Sequence, residues 1–176
     1  MTYLVDANVL AYFWNVGQQT ALAESAAKLA LATPEEVSEE LGRSPKYGAQ
    51  FRKWIASSGV GVLPIEAMSA VDETFTALHP DRTALRGKGE HACIALAAHD
   101  PSLVFVANDK NALWLALHEL HAESARVIGV RVFLRRLQEQ AGLGLEAVDQ
   151  VARAAQGPTP SWWQGWRAKL GPGAQP

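Results

Sequence analysis

The sequence predicts an α/β fold: a mainly parallel central sheet, helices layered on both of its faces, and a helical extension at the C-terminus. Three observations lead there. Short apolar runs with strand character alternate with segments of helical periodicity along most of the chain, the pattern of successive βα units. Two of those runs, Tyr3-Leu4-Val5 and Leu103-Val104-Phe105-Val106-Ala107, lack polar alternation, as strands buried on both faces do. Each ends abruptly at an acid, Asp6 in the first case and Asn108-Asp109 in the second, before a helix-like segment. Open α/β sheets bind their ligands just outside the carboxyl ends of the strands.

The totals bound the rest. The 176 residues are 48% hydrophobic and 19% charged, which suits a domain with a sizeable core and not a disordered chain. A net charge of −2 announces no nucleic-acid binder, yet an acidic site lowers the total while a local basic rim can still hold phosphates. The single cysteine, Cys93, excludes an internal disulfide, fits a reducing compartment, and reads as a buried structural thiol within an apolar run. There is no basic-then-apolar leader and no run long enough to span a bilayer, so the expectation is a cytoplasmic protein away from membranes.

In chain order, Tyr3 to Val5 is a strand, and Asp6 either caps the helix that follows or serves chemistry. Val9 to Trp14 is a short helix that Gly17 ends, and Ala21 to Ala27 a second. Lys28 to Ala32 either extends that helix or, the favoured reading, forms a short strand leading to Thr33-Pro34. Thr33 is predicted to cap the next helix, with Pro34 first inside it, Glu35 and Glu36 at its positive end, and Thr33 and Glu36 at capping-box spacing. That helix runs through Val37 and Leu41 to Gly42. Ser44-Pro45 opens another, carrying Tyr47, Phe51, Trp54 and Ile55, until Gly59. Val60, Val62 and Leu63 form a short strand, and Glu66 to Leu78 a helix with Met68, Val71, Phe75 and Leu78 on one face. Gly87-Lys88-Gly89 precedes a helix from Glu90 to His99. After the 103–107 strand come a helix from Asn111 to about His121, a strand over Arg126–Val130 and a helix over Phe133–Gln140. Right-handed crossovers place all the strand C-termini on one edge.

From Gly142 the chain changes character, so the reading divides it into a domain over 1–141 and a helical extension over 142–176. The extension holds a helix from Leu143 to Ala155, a Gly157-Pro158-Thr159-Pro160 linker, and a segment with Trp162, Trp163 and Trp166. Those tryptophans pack back on the domain or on a second copy in a homodimer, fill a partner's groove, or stack on bases.

The chemistry-bearing residues are acids. Asp6 and Asp109 end strands, Glu90 lies in the first turn of its helix, and Glu40 lies one turn on from Glu36, with Glu36 and Glu39 as alternatives. A cluster of hard oxygen ligands needs a divalent cation to offset its repulsion, and Mg²⁺ or Mn²⁺ is the natural choice. Such an ion orients a phosphate, lowers the pKa of a bound water and stabilises the leaving oxygen. Asn8 either supports Asp6 from behind or caps its helix, and Asn111 is either a substitute ligand or a cap. Arg43, Lys46, Arg52, Lys53, Arg82, Arg86, Lys88 and Lys110 are the candidates for phosphate contact, and Arg86, Lys88 and Lys110, next to Glu90 and Asp109, are the three near the proposed mouth. Other chemistries find no support. His118-Glu119-Leu120-His121 lacks the zinc-protease spacing, and no nucleophile-elbow pattern occurs.

Leu4-Val5-Asp6-Ala7-Asn8-Val9-Leu10 resembles the opening motif of the PIN-domain nucleases. Pro34-Glu35-Glu36-Val37-Ser38-Glu39-Glu40-Leu41 is similar to that family's second acidic motif, Gly89-Glu90-His91-Ala92-Cys93-Ile94-Ala95-Leu96-Ala97 to its third, and Val106-Ala107-Asn108-Asp109-Lys110-Asn111 to its fourth. The resemblance covers about Met1 to Gln140 and includes the order of strands and helices. It implies a PIN-like three-layer α/β/α fold and Mg²⁺- or Mn²⁺-dependent hydrolysis of RNA phosphodiester bonds. Asp6, Glu40, Glu90 and Asp109 would be the metal ligands and catalytic acids, with metal-bound water attacking phosphorus. Many small bacterial members, the VapC-like group, are toxins held inactive by an antitoxin peptide. The fourth motif departs from the family at Ala107, where Thr or Ser is common, and at Asn111, where a second acid is common. One tightly held ion is therefore expected, with a second recruited by substrate. The alternatives are a non-catalytic PIN-like binding protein, and a PIN-like nuclease acting on DNA or structured ends.

Overall fold

β1 (Thr2–Val5) is the middle strand of a five-stranded, wholly parallel sheet in the computed structural model, which describes residues 1–46, 48–121 and 124–156. Its neighbours are β2 (Leu31–Pro34) and β4 (Leu103–Ala107), and the outer strands are β3 (Gly61–Leu63) and β5 (Val127–Gly129). The order is β3-β2-β1-β4-β5. From β1 the chain steps outward through β2 and β3, then returns to the other side of β1 for β4 and β5. The strand order therefore reverses between β1 and β4, the point where such sheets open a crevice. The register pairs Val5 with Val106, so Asp6 and the chain after Ala107 leave the sheet side by side.

The sequence explains the burial. Tyr3, Leu4 and Val5 and all five residues of β4 are buried, as central parallel strands covered on both faces require. The two edge strands are three residues each, which limits open backbone for unwanted pairing. Between the strands run α1 (Ala7–Asn15), α2 (Gln19–Ala26), α3 (Glu35–Gly42), α4 (Gly48–Ile55), α5 (Ala70–Leu78), α6 (Lys88–His99) and α7 (Lys110–Glu119). α8 (Val130–Arg136) continues as a π-helical turn, Leu137–Ala141, and α9 (Leu145–Gln156) closes the described chain. Helices connect the parallel strands in an arrangement compatible with three α/β/α layers, and α3 packs directly against α6. Among the described residues no helix is long and apolar enough to cross a membrane.

Three local expectations change. Thr33 does not cap α3; it is the third residue of β2, fully buried, and its hydroxyl donates to the Val5 carbonyl at 2.9 Å. Pro34 takes the cap position without a side-chain hydrogen bond, so no capping box forms. The helix expected from Glu66 starts instead at Ala70. Ser69 caps it by accepting from the Asp72 amide at 3.1 Å, and Met68, at φ 61° and 92% exposed, lies outside both helix and core. After β5 the chain turns helical at once, at Val130.

The helix beyond Gly142 packs into the same core as the sheet, burying Leu145, Val148, Val151 and Ala152. It lies against α1 and α8. Near its end the Ala155 carbonyl accepts from Asn108 Nδ2 at 3.0 Å, and the same amide group donates to Tyr12 Oη at 3.0 Å. Trp162, Trp163 and Trp166 lie outside the described residues.

Candidate active site

A cavity of about 520 Å³ opens at the carboxyl ends of β1 and β4. Asp6, Glu40, Glu90 and Asp109 all line it, each delivered by a different element. Asp6 follows β1 and caps α1, accepting from the Asn8 amide at 3.4 Å, so the capping and chemical readings of this residue are compatible. Asp109 follows β4 and caps α7, with Oδ1 accepting from the amides of Asn111 at 2.8 Å and Ala112 at 3.1 Å. One carboxylate oxygen of each acid is thus committed to the backbone, which fixes its orientation toward the crevice.

Glu90 and Glu40 arrive on facing helices. Gly89 is the reason they come so close. A Cβ on Gly89 would stand 2.5 Å from Val37 Cγ2, closer than real Cβ atoms come, and 3.3 Å from Glu40 Oε2, a tight contact. Its hydrogen therefore lets α6 touch α3, one residue from Glu90. Gly87, at φ 76°, turns the chain into α6 in the left-handed region that favours glycine.

The electrostatics follow from this crowding. Burial raises the Asp6 carboxyl above its ordinary range, against the lowering effect of hydrogen bonds from Ala7 and Asn8, while the Asp109 charge raises it further. Asp6 is only 2% exposed. Glu40 is raised by desolvation and then by Asp6. Glu90 is pushed up to about 7, first by burial and then by the charges of Asp6 and Asp109. Mutual repulsion of this kind is what a cation relieves. The donor set, carboxylate oxygens only, suits Mg²⁺ or Mn²⁺ in type and charge. Among the described residues, however, no three His, Cys, Asp or Glu side chains are already arranged to hold a metal ion. The acids share a cavity without closing a finished cage.

Other predicted residues divide. Asn8 and Asn111 line the cavity, and the Asn8 side chain hydrogen-bonds Asp6. Asn111 is not the cap of α7, a place Asp109 takes. Arg86 is on the wall, exposed. Lys88 and Lys110 do not line it: Lys88 Nζ lies 3.9 Å from Glu39, and Lys110 is exposed in the first turn of α7. Of the acids weighed against Glu40, Glu39 pairs with Arg43 at 3.2 Å and Glu36 is partly buried beside α6, and neither lines the cavity. Cys93 is fully buried, and burial pushes its thiol well up.

Sequence reasoning missed His91. It lines the cavity, and its Nδ1 lies 3.1 Å from Nδ1 of buried His79. Burial, followed by His79, lowers its pKa. It stands beside Glu90 in the chain, and nothing in sequence spacing joins position 91 to 79. No family model, curated protein or solved structure matches this chain.

Proposed function

We propose that this protein is a metal-dependent ribonuclease of the PIN type, hydrolysing RNA phosphodiester bonds as the toxin of a toxin–antitoxin pair. The observation that carries the reading is the convergence of Asp6, Glu40, Glu90 and Asp109 on one cavity at the switch point of a parallel sheet. The same four residues are the acids of the four PIN-like motifs. Asp6, Glu40, Glu90 and Asp109 would hold Mg²⁺ or Mn²⁺, which when bound supplies Lewis acidity and a water of lowered pKa. The chain's own groups do the rest. Asn8 and the α1 backbone orient Asp6, the first amides of α7 orient Asp109, and Arg86 meets phosphate oxygens at the wall.

Asp6→Asn tests this, because asparagine caps a helix as well as aspartate does. Cleavage of single-stranded RNA in Mn²⁺ should fall by more than about a hundredfold, since loss of a ligand exceeds the effect of losing its supporting groups. The thermal melt should keep its cooperativity. Full activity in this variant, together with indifference to EDTA, would overturn the mechanism. Parallel digestion of DNA and hairpins tests the alternative of a nuclease for other substrates.

One observation favours a second reading, a PIN-like binding protein without activity: Asn111 stands on the cavity wall in place of an acid, and no finished metal cage is present among the described residues. Titration with Mn²⁺ by calorimetry separates the two, since absence of binding supports the non-catalytic protein.

A further inference from the structure

Behind the acidic cavity lies a pair of imidazoles that the carboxylate cluster does not use. His79, 5% exposed, follows α5 and stacks on Phe75 with ring centroids 5.7 Å apart. Its Nε2 is 2.8 Å from the Ala84 carbonyl oxygen. A carbonyl only accepts, so this nitrogen carries the hydrogen. In the neutral ring Nδ1 is then a lone pair, and it faces His91 Nδ1 at 3.1 Å. Two lone pairs would repel, so His91 Nδ1 is the donor and His91 Nε2 is left as an acceptor. Ala84, His79 and His91 thus define one tautomer by hydrogen bonding alone.

His91 lines the cavity, and its Nδ1 is the ring nitrogen turned to His79, which leaves Nε2 for a ligand. The ring lines it together with Gly87, the left-handed residue that turns the chain into α6. The nitrogen makes no protein hydrogen bond among the described residues and is not one of the buried atoms lacking a partner, so it is accessible from solvent. A lone pair repels phosphate oxygens and seeks a donor. The carboxylates already supply charged acceptors for water, and what His91 adds is an uncharged acceptor that does not repel a polyanion. In RNA the donor beside each phosphate is the ribose 2′-hydroxyl, the group that lets a protein tell RNA from DNA. Arg86, on the same wall, supplies donors for the phosphate itself.

We propose that His91 Nε2 accepts a hydrogen bond from the ribose 2′-hydroxyl beside the phosphate at Arg86 and so sets the preference for RNA, with His79 the positioning residue that fixes its tautomer. The inference rests on the nucleic-acid reading of this cavity.

The test uses the full chain and two RNA strands that differ only by one 2′-deoxy nucleotide at the mapped cleavage site. The wild type should cleave the all-ribo strand about tenfold faster in kcat/KM, the scale of one hydrogen bond. His91→Phe keeps the ring but not the acceptor, and should bring the ratio to about one by slowing only the ribo strand. His91→Gln, which keeps an acceptor oxygen, should restore part of the preference. His79→Phe should reduce it without abolishing cleavage. The ratio within one variant does not depend on how much of it is folded, so a poorly folding variant still reports. Equal loss on both strands, or an unchanged ratio, overturns the inference and leaves the nuclease reading standing. If the wild type cleaves nothing in Mn²⁺, the ratio is read instead as binding of the all-ribo strand against its all-deoxy counterpart by fluorescence anisotropy. A ribo preference that disappears in His91→Phe then supports the inference while the nuclease reading falls, and absence of any preference overturns both.

Discussion

Glu90 shows most directly how the fold changes the properties of one residue. Its carboxyl is raised to about 7 because folding removes it from water and sets it near Asp6 and Asp109. In the unfolded chain it ionises near the ordinary 4.5. Between those values the folded state holds the extra proton, so stability falls as pH rises and levels off above about 7. Melting temperatures measured in EDTA should therefore decline across that window, and Glu90→Gln should flatten the decline. Under the proposed function Mn²⁺ should reverse it, stabilising more at pH 8 than at pH 5, because a carboxylate that binds a metal must be deprotonated. Thr33 makes a second point at this scale. Its hydroxyl belongs to the sheet, donating to Val5 beside Asp6, and not to a helix cap. Thr33→Val keeps the shape and leaves the Val5 carbonyl without that donor, which should cost about 1–2 kcal/mol in urea unfolding.

Among elements, the contact of α3 with α6 decides whether the site exists. Glu40 and Glu90 face the same cavity because Gly89 permits backbone-close approach against Val37. Gly89→Ala forces Val37 or the helix carrying it to shift, and overpacking of this kind typically costs about 1–3 kcal/mol. The expected outcome is a lowered urea midpoint and a weakened Mn²⁺ affinity together, whereas an effect on stability alone would separate the contact from the site. Helix boundaries were less legible than helix existence. Thr33-Pro34-Glu35-Glu36 satisfies every local rule for a cap, yet β2 needed Thr33 for pairing, and β-branched residues suit strands. At α5 the apolar spacing extended the helix backward to Met68, but Ser69 and Asp72 provide the local hydrogen bonds that start it at Ala70.

At the scale of the whole molecule, the strand order and α9 hold the site in place. The reversal between β1 and β4 sets Asp6 and Asp109 at adjacent strand ends. α9 buries Leu145, Val148 and Val151 in the core that backs β1, and the Asn108 bridge to Tyr12 and Ala155 ties its end to the residue before Asp109. A chain ending at Ala141 should consequently lose cooperative thermal unfolding, read by circular dichroism, even though the motif resemblance ends there. The sequence by itself determined the alternation of strands and helices, the two buried central strands and the identity of the four acids. Those features are written in local apolar patterning and in residues that follow a strand directly. Only the tertiary structure decided which cations reach the cavity, that the helix beyond Gly142 belongs to the core, and that His79 and His91 meet beside the acids. Each of those depends on side chains from distant positions arriving at one place, and periodicity within a single segment carries no trace of it.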